Sequence, residues 1–208
     1  MALIQFNVPS SHVICGPSFS GKSEFIYKLI RNSEVLFKKP FDKIYYFYGV
    51  WQNNFDGVKE NIEFIEGLPT QLFIENLVSS QSSLLIVDDQ QQSALNSELI
   101  ANIFTEYSHH KNITVILVLQ NLFHQGKFAR DISLNTHYFV LFKNQRDINQ
   151  IKILGNQLGL KNHLYDSYIE ATKNPFSYLL VDLSPGANND FMLRSNIFPE
   201  ENPTIYKQ

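Results

Sequence analysis

The sequence has one cysteine, Cys15, in 208 residues, which excludes an internal disulfide and fits a reducing compartment. It lies in an apolar stretch, so it reads as a small buried hydrophobe and not as a nucleophile. Methionine is nearly missing as well. Two methionines stand against 17 phenylalanines and 10 tyrosines, so the core is expected to be aromatic and β-branched. No apolar run approaches the length of a membrane span, and the N-terminus lacks the basic and apolar regions of a secretion signal. The expectation is a soluble, intracellular chain. Neither sign of charge dominates: the net charge is −3, so the chain is no polycation. Any nucleic-acid contact must therefore use a local basic patch, or a pore built from several subunits. Metal-ligand spacing is lacking too. The adjacent His109 and His110 cannot point both rings at one metal from a helix, and read as polar residues ending a helix. No repeat, low-complexity tract or linker interrupts the chain. A single α/β domain over 1–208 is expected, its core at about 12–183 and a C-terminal strand and tail at 184–208.

What is present begins at Gly16, Pro17, Ser18, Phe19, Ser20, Gly21, Lys22 and Ser23, which match the P-loop pattern G-x-x-x-x-G-K-[ST] at every fixed position. His12 to Cys15 before it reads as a buried strand. Glu24 to Ile30 after it has apolar positions at helical spacing. Strand, glycine-rich turn and helix in that order is the context the motif needs. The backbone N–H groups can then face a phosphate at the positive end of a helix. Lys22 is placed to reach the β- and γ-phosphates, Ser23 to ligate Mg2+, and Glu24 to open the helix beside them. The expected ligand is ATP or another nucleoside triphosphate.

Lys43 to Tyr48 reads as an aromatic strand, and Glu63 to Gly67 as a shorter one. Trp51, between them, could stack on a base, but packing beside the sheet is the favoured reading. A helix is expected from Pro69. Ser82 to Val87 is an apolar strand that ends in Asp88 and Asp89. Open α/β sheets bind ligands at such strand ends, so Asp88 is placed for the magnesium shell and Asp89 for polarising the attacking water. Ser97 to His109 reads as one helix. Ile113 to Leu119 is the most apolar strand, suited to the centre of a parallel sheet. It ends at Gln120, which can sense the γ-phosphate or position water; a satisfied strand-end amide is the bland alternative. Residues 121–155 then carry five basic residues against two acidic ones. Lys127 and Lys143 there are the candidate nucleic-acid contacts. Strands at Tyr138–Phe142 and Tyr178–Leu183, helices at 147–158 and 161–171, and a last strand within 192–197 complete the reading, with an edge strand over Leu3–Phe6 and a tail from Pro199.

Several pieces together resemble one family. They are G-P-S-F-S-G-K-S, L-L-I-V-D-D-Q, Q-N-L-F-H-Q-G-K-F-A-R-D-I-S-L-N, F-K-N-Q-R-D and the late Y-L-L-V-D-L with L-R-S-N-I-F. The chain resembles the genome-packaging ATPases of eukaryotic double-stranded DNA viruses and Polinton-type elements, relatives of the poxvirus packaging ATPase in the FtsK–HerA superfamily. The resemblance runs from about residue 12 to 198. It implies a RecA-like, mostly parallel sheet flanked by helices, a homo-oligomeric ring, and ATP-driven movement of double-stranded DNA into a capsid. It also implies a capsid-vertex or portal-like partner, and residence in a host nucleus or viral factory. Lys22 and Ser23, the pair Asp88 and Asp89, and Gln120 take the corresponding roles. Much of the superfamily has glutamate where Asp89 stands, one methylene longer. In ring ATPases an arginine reaches across the subunit interface to the γ-phosphate. Arg146 and Arg130 are the candidates, Arg146 first because a strand end holds a side chain more rigidly than a long loop. Two other readings remain: a capsid-assembly scaffold that binds nucleotide without turnover, and a small-molecule kinase, against which the sparse arginines count.

Overall fold

The computed structural model describes residues 5–51 and 62–207. Six strands run parallel: β1 (Ser11–Cys15), β2 (Lys43–Tyr48), β3 (Ile62–Glu66), β4 (Ser83–Asp88), β5 (Ile113–Leu119) and β6 (Tyr138–Phe142). Three more return antiparallel: β7 (Tyr178–Asp182), β8 (Leu193–Ser195) and β9 (Thr204–Ile205). Among the described residues the sheet order is β3-β2-β4-β5-β1-β6-β7-β8-β9. The most apolar strand, β5, therefore lies between the P-loop strand β1 and the acid-bearing strand β4. The register places Cys15 beside Leu119, and Val87 beside Leu117. The P-loop, the end of β5 and Asp88 thus share one edge of the sheet.

Both faces are covered, which is why β1, β4, β5, β6 and β7 are buried along their whole length and read as unbroken apolar runs. Helix α1 (Lys22–Arg31) buries Phe25, Ile26, Tyr27, Leu29 and Ile30 on one face. Its partners there are largely aromatic, among them Phe37, Tyr46, Tyr138, Phe142, Tyr178 and Phe198. Each such side chain contributes about 1.5–3 kcal/mol, so the helix that follows the P-loop is firmly anchored. The other face is aliphatic. It carries α3 (Gln71–Asn76), α4 (Gln91–Leu95), α5 (Glu98–Asn102), α7 (Ala129–Leu134), α8 (Asn149–Gln157) and α9 (Asn162–Ala171). The remaining α-helices among the described residues are the one-turn α2 (Ser33–Leu36) and α6 (Ser108–His110).

Some elements differ from the sequence reading. The helix expected over Ser97–His109 starts at the Ser97 cap, but widens into a π turn at Ile103–Tyr107 before α6. Within it Thr105 donates its hydroxyl back to the Ala101 carbonyl at 3.1 Å, a side-chain bond that competes with the helical ladder. The stretch after Gln120, read as a long loop, contains α7. The tail contains β9, whose neighbour Tyr206 shares a 3.0 Å hydroxyl hydrogen bond with Ser195. Of the edge strand expected over Leu3–Phe6, residues 3 and 4 lie outside the described residues, and Phe6 makes a single bridge to Phe37. Trp51 is half-exposed and meets Tyr48 and Phe64 edge-on, with ring centroids 5.3 and 5.8 Å apart. Among the described residues no helix is long and apolar enough to cross a membrane.

Candidate active site

The turn after β1 starts with the Gly16 N–H donating to the Leu119 carbonyl at 3.1 Å, which ties the P-loop to the end of β5. It ends at Gly21, whose φ of 104° lies where only glycine is at ease. Helix α1 then starts with no side-chain cap, whereas α3 is capped by Thr70 and α5 by Ser97. The first N–H groups of α1 are thus left to an incoming anion. Lys22 folds over the turn, donating from Nζ to the carbonyls of Gly16 at 2.7 Å and Pro17 at 2.8 Å. Burial lowers its pKa, and the charges of Asp88, Cys15 and Asp89 oppose that shift. Cys15 is buried as expected, and burial pushes its thiol up to about 12.

Asp88 is buried at the end of β4 and accepts a 2.6 Å hydrogen bond on Oδ2 from the Tyr46 hydroxyl. Desolvation raises its pKa, while the bond from Tyr46 favours the charged form. Tyr46 was read only as part of an aromatic strand. The available signal is that a phenol inside a buried strand needs a polar partner, and Asp88 lies two residues beyond Ile86, the register partner of Tyr46 on β4. Asp89 is exposed and has a φ of 58°. Aspartate is among the few residues that take this left-handed conformation readily, which gives a local reason for aspartate here in place of glutamate. Gly49 makes room for it, since a Cβ at Gly49 would sit 2.7 Å from the Asp89 carbonyl oxygen.

Gln120 is exposed just past β5. Its backbone N–H donates to Oε1 of Gln91, at the start of α4, and the Asn121 N–H donates to the same oxygen. The turn after the carboxylate pair thereby grips the end of β5. The sequence reading passed over Gln91, because a run of glutamines has no helical apolar pattern. One cleft of about 630 Å³ gathers Ser18, Phe19, Gly21, Lys22, Ser23, Glu24, Asp88, Asp89 and Gln120, together with Gln91 and Phe176. A neighbouring cleft of about 720 Å³ runs along the other flank of the P-loop, past Pro17 to Ser20, to Lys143, Arg146 and Phe176.

Of the two arginines, Arg146 lies just past β6, which ends at Phe142 as expected, in a bend where its N–H donates to Asn144 Oδ1 at 3.1 Å. It lines the second cleft with its own chain's P-loop. Arg130 is not on a long loop but on α7, exposed and outside both clefts. Among the described residues neither forms an ion pair with Asp131 or Asp147. Lys127 also lies outside both clefts, with its ammonium 4.9 Å from the Phe128 ring centroid. His109 is exposed and 6.3 Å from the ring of His137, and no cluster of three metal-ligating side chains occurs among the described residues.

No family model matches the sequence, and no curated protein matches it. Among solved structures it is similar to B204, the DNA-packaging ATPase of Sulfolobus turreted icosahedral virus, at 13% identity over 96% of this chain and 98% of that one, with a TM-score of 0.52. The chain has a P-loop NTPase fold. The packaging NTPase B204 of Sulfolobus turreted icosahedral virus 2, in complex with ATP-gammaS, agrees over 96% of this chain and 97% of that one, at 12% identity and a TM-score of 0.51. The cytoplasmic domain of the type VII secretion ATPase EccC of Thermomonospora curvata matches 95% of this chain with 25% of its own, at 13% identity and a TM-score of 0.55. At these identities it is the fold that is shared: an α/β layer structure around a mostly parallel sheet.

Proposed function

We propose that this chain is a Mg2+-dependent ATPase that works as a homo-oligomeric ring and moves double-stranded DNA into a viral capsid. The observation that supports it most is the convergence of Lys22, Ser23, Asp88, Asp89 and Gln120 on one cleft. That cleft sits in a fold matching a DNA-packaging ATPase over nearly its whole length. In this reading the β- and γ-phosphates lie over the uncapped start of α1, and Lys22 exchanges its two carbonyl partners for phosphate oxygens. Ser23 and Asp88 are hard oxygen donors on the same cleft, and few in number. That fits magnesium, which keeps most of its shell for water and phosphate. Once held there, magnesium would supply positive charge to offset the charge that develops on the phosphate oxygens. Tyr46 holds one oxygen of Asp88 and leaves the other for the metal shell. Asp89, exposed at the rim, takes the proton of the attacking water, and Gln120 orients that water against the γ-phosphate.

Lys127 is the better-placed DNA contact, since Lys143 stands in a cleft beside the P-loop. Binding to duplex DNA is expected to be sequence-independent and steeply salt-sensitive, with a log–log slope of about −0.9 for each phosphate neutralised. Titrations of the full chain at several salt concentrations test this. Lys127→Glu should flatten the slope by about one for each engaged subunit. A salt-insensitive, sequence-specific interaction would instead mark a regulatory DNA-binding module.

A further inference from the structure

We propose that Phe176 is the stacking platform for the base of the bound nucleotide, an inference that rests on the nucleotide reading above. Phe176 lies in the short segment between α9 and β7. Asn174 closes a turn there by accepting from the Ser177 hydroxyl at 2.6 Å and from the Ser177 N–H at 3.4 Å. The turn forces Phe176 to a φ of 62°, which a bulky side chain seldom adopts. The residue is left 70% exposed. Strain of this kind persists where the surroundings hold it, and it gathers at ligand sites. Here it sets an aromatic face at the mouth of the phosphate cradle.

Two contacts fix where that face stands. The Cβ and Cδ1 of Phe176 lie 3.3 Å from the position a Cβ on Gly21 would take, so the ring rests on the last residue before α1. Phe176 also lines both clefts and so stands on the ridge between them. The sheet order then decides which part of a nucleotide reaches it. Asp88, Asp89 and Gln120 lie toward β4 and β5, on one side of β1. Phe176 enters on the other side, just before β7, whose first residue pairs with the end of β6. A triphosphate with its γ end toward the carboxylates therefore sends its nucleoside toward Phe176. Stacking uses the π-face that every base has, so it favours purines by overlap and discriminates weakly between ATP and GTP.

The test is equilibrium binding of Mg-ATP and of inorganic tripolyphosphate, which has no base, to the full chain. Phe176→Leu keeps apolar bulk against Gly21 and removes the flat face. It should bind ATP about 5- to 150-fold more weakly and tripolyphosphate as the unsubstituted chain does. Phe176→Trp should keep ATP affinity, and its fluorescence should respond to ATP but not to tripolyphosphate, against the constant background of Trp51, the one native tryptophan. Equal weakening of both ligands by Phe176→Leu would overturn the proposal, since the ring would then only brace the P-loop. Unchanged ATP affinity would overturn it as well. If the unsubstituted chain binds neither ligand, or Lys22→Ala binds both as tightly as the unsubstituted chain, the nucleotide reading itself fails and takes this inference with it.

Discussion

Asp89→Asn is expected to bind Mg-ATP as the unsubstituted chain does and to hydrolyse it about 10²- to 10⁴-fold more slowly. Asparagine takes the left-handed backbone at this position as readily as aspartate does, so the turn beside Gly49 keeps its shape. What is lost is the proton acceptor at the rim of the cleft. Asp88→Asn should behave differently. That carboxylate is buried, accepts from Tyr46 and is assigned to the metal shell, so magnesium dependence and nucleotide affinity should fall together with rate. Asp89→Glu restores a carboxylate but asks a longer side chain to sit at a φ of 58°, so only partial activity is expected from it. Single-turnover hydrolysis beside equilibrium ATP binding separates the three variants. Hydrolysis by Asp89→Asn within about tenfold of the unsubstituted rate, below the usual reach of general-base catalysis, would move the catalytic base elsewhere.

The arginine that completes the site from a neighbouring subunit should matter as much or more, about 10³- to 10⁵-fold in rate. The structure changes the ground for choosing between the candidates. The preference for Arg146 rests on its place just past a strand end, which the structure keeps, but Arg146 also lines the cleft beside its own P-loop. In the proposed ring Arg146 would meet its own chain's nucleotide. Arg130, exposed on a helix outside both clefts, would be the group free to reach a neighbour's phosphates. Mixing experiments distinguish them. Arg130→Ala alone should be nearly inactive, and should regain turnover when mixed with Lys22→Ala, whose own arginine completes the Arg130→Ala site across the interface. Arg146→Ala should gain nothing from the same mixture. The reverse pattern would make Arg146 the cross-subunit group. Recovery in neither mixture, with ATP binding intact, would contradict any arginine acting across the interface at these two positions.

Much of the scaffold was legible because buried parallel strands leave an unmistakable mark. His12 to Cys15, Leu84 to Val87 and Ile113 to Leu119 are apolar on both faces, and no other local structure explains runs so short and so apolar. The P-loop was legible for a different reason, since its glycines and lysine follow from phosphate chemistry rather than packing. What escaped were features set by long-range fit. Helix α4 begins in glutamines and is held by what its turn grips, namely the N–H groups of Gln120 and Asn121. Tyr46 meets Asp88 only because β2 and β4 are neighbours. The left-handed backbone at Asp89 packs against Gly49, in the bend that follows β2. Phe176, with an unremarkable sequence context, becomes notable only when its loop arrives at Gly21. Helix α7 is too short and too polar to announce itself, so the sequence alone places Arg130 on a loop.

Coupling of ATP turnover to duplex DNA is tested by the ATP hydrolysis rate with and without long double-stranded DNA, on material whose oligomeric mass is measured in the same buffer. Stimulation by DNA of any sequence is expected in the ring-sized species, with loss of turnover in Lys22→Ala and loss of the stimulation at high salt. Tight ATP binding with no turnover, with or without DNA, would contradict it and leave a nucleotide-dependent scaffold. Phosphate transfer to a small acceptor with no response to DNA would contradict it in favour of a kinase.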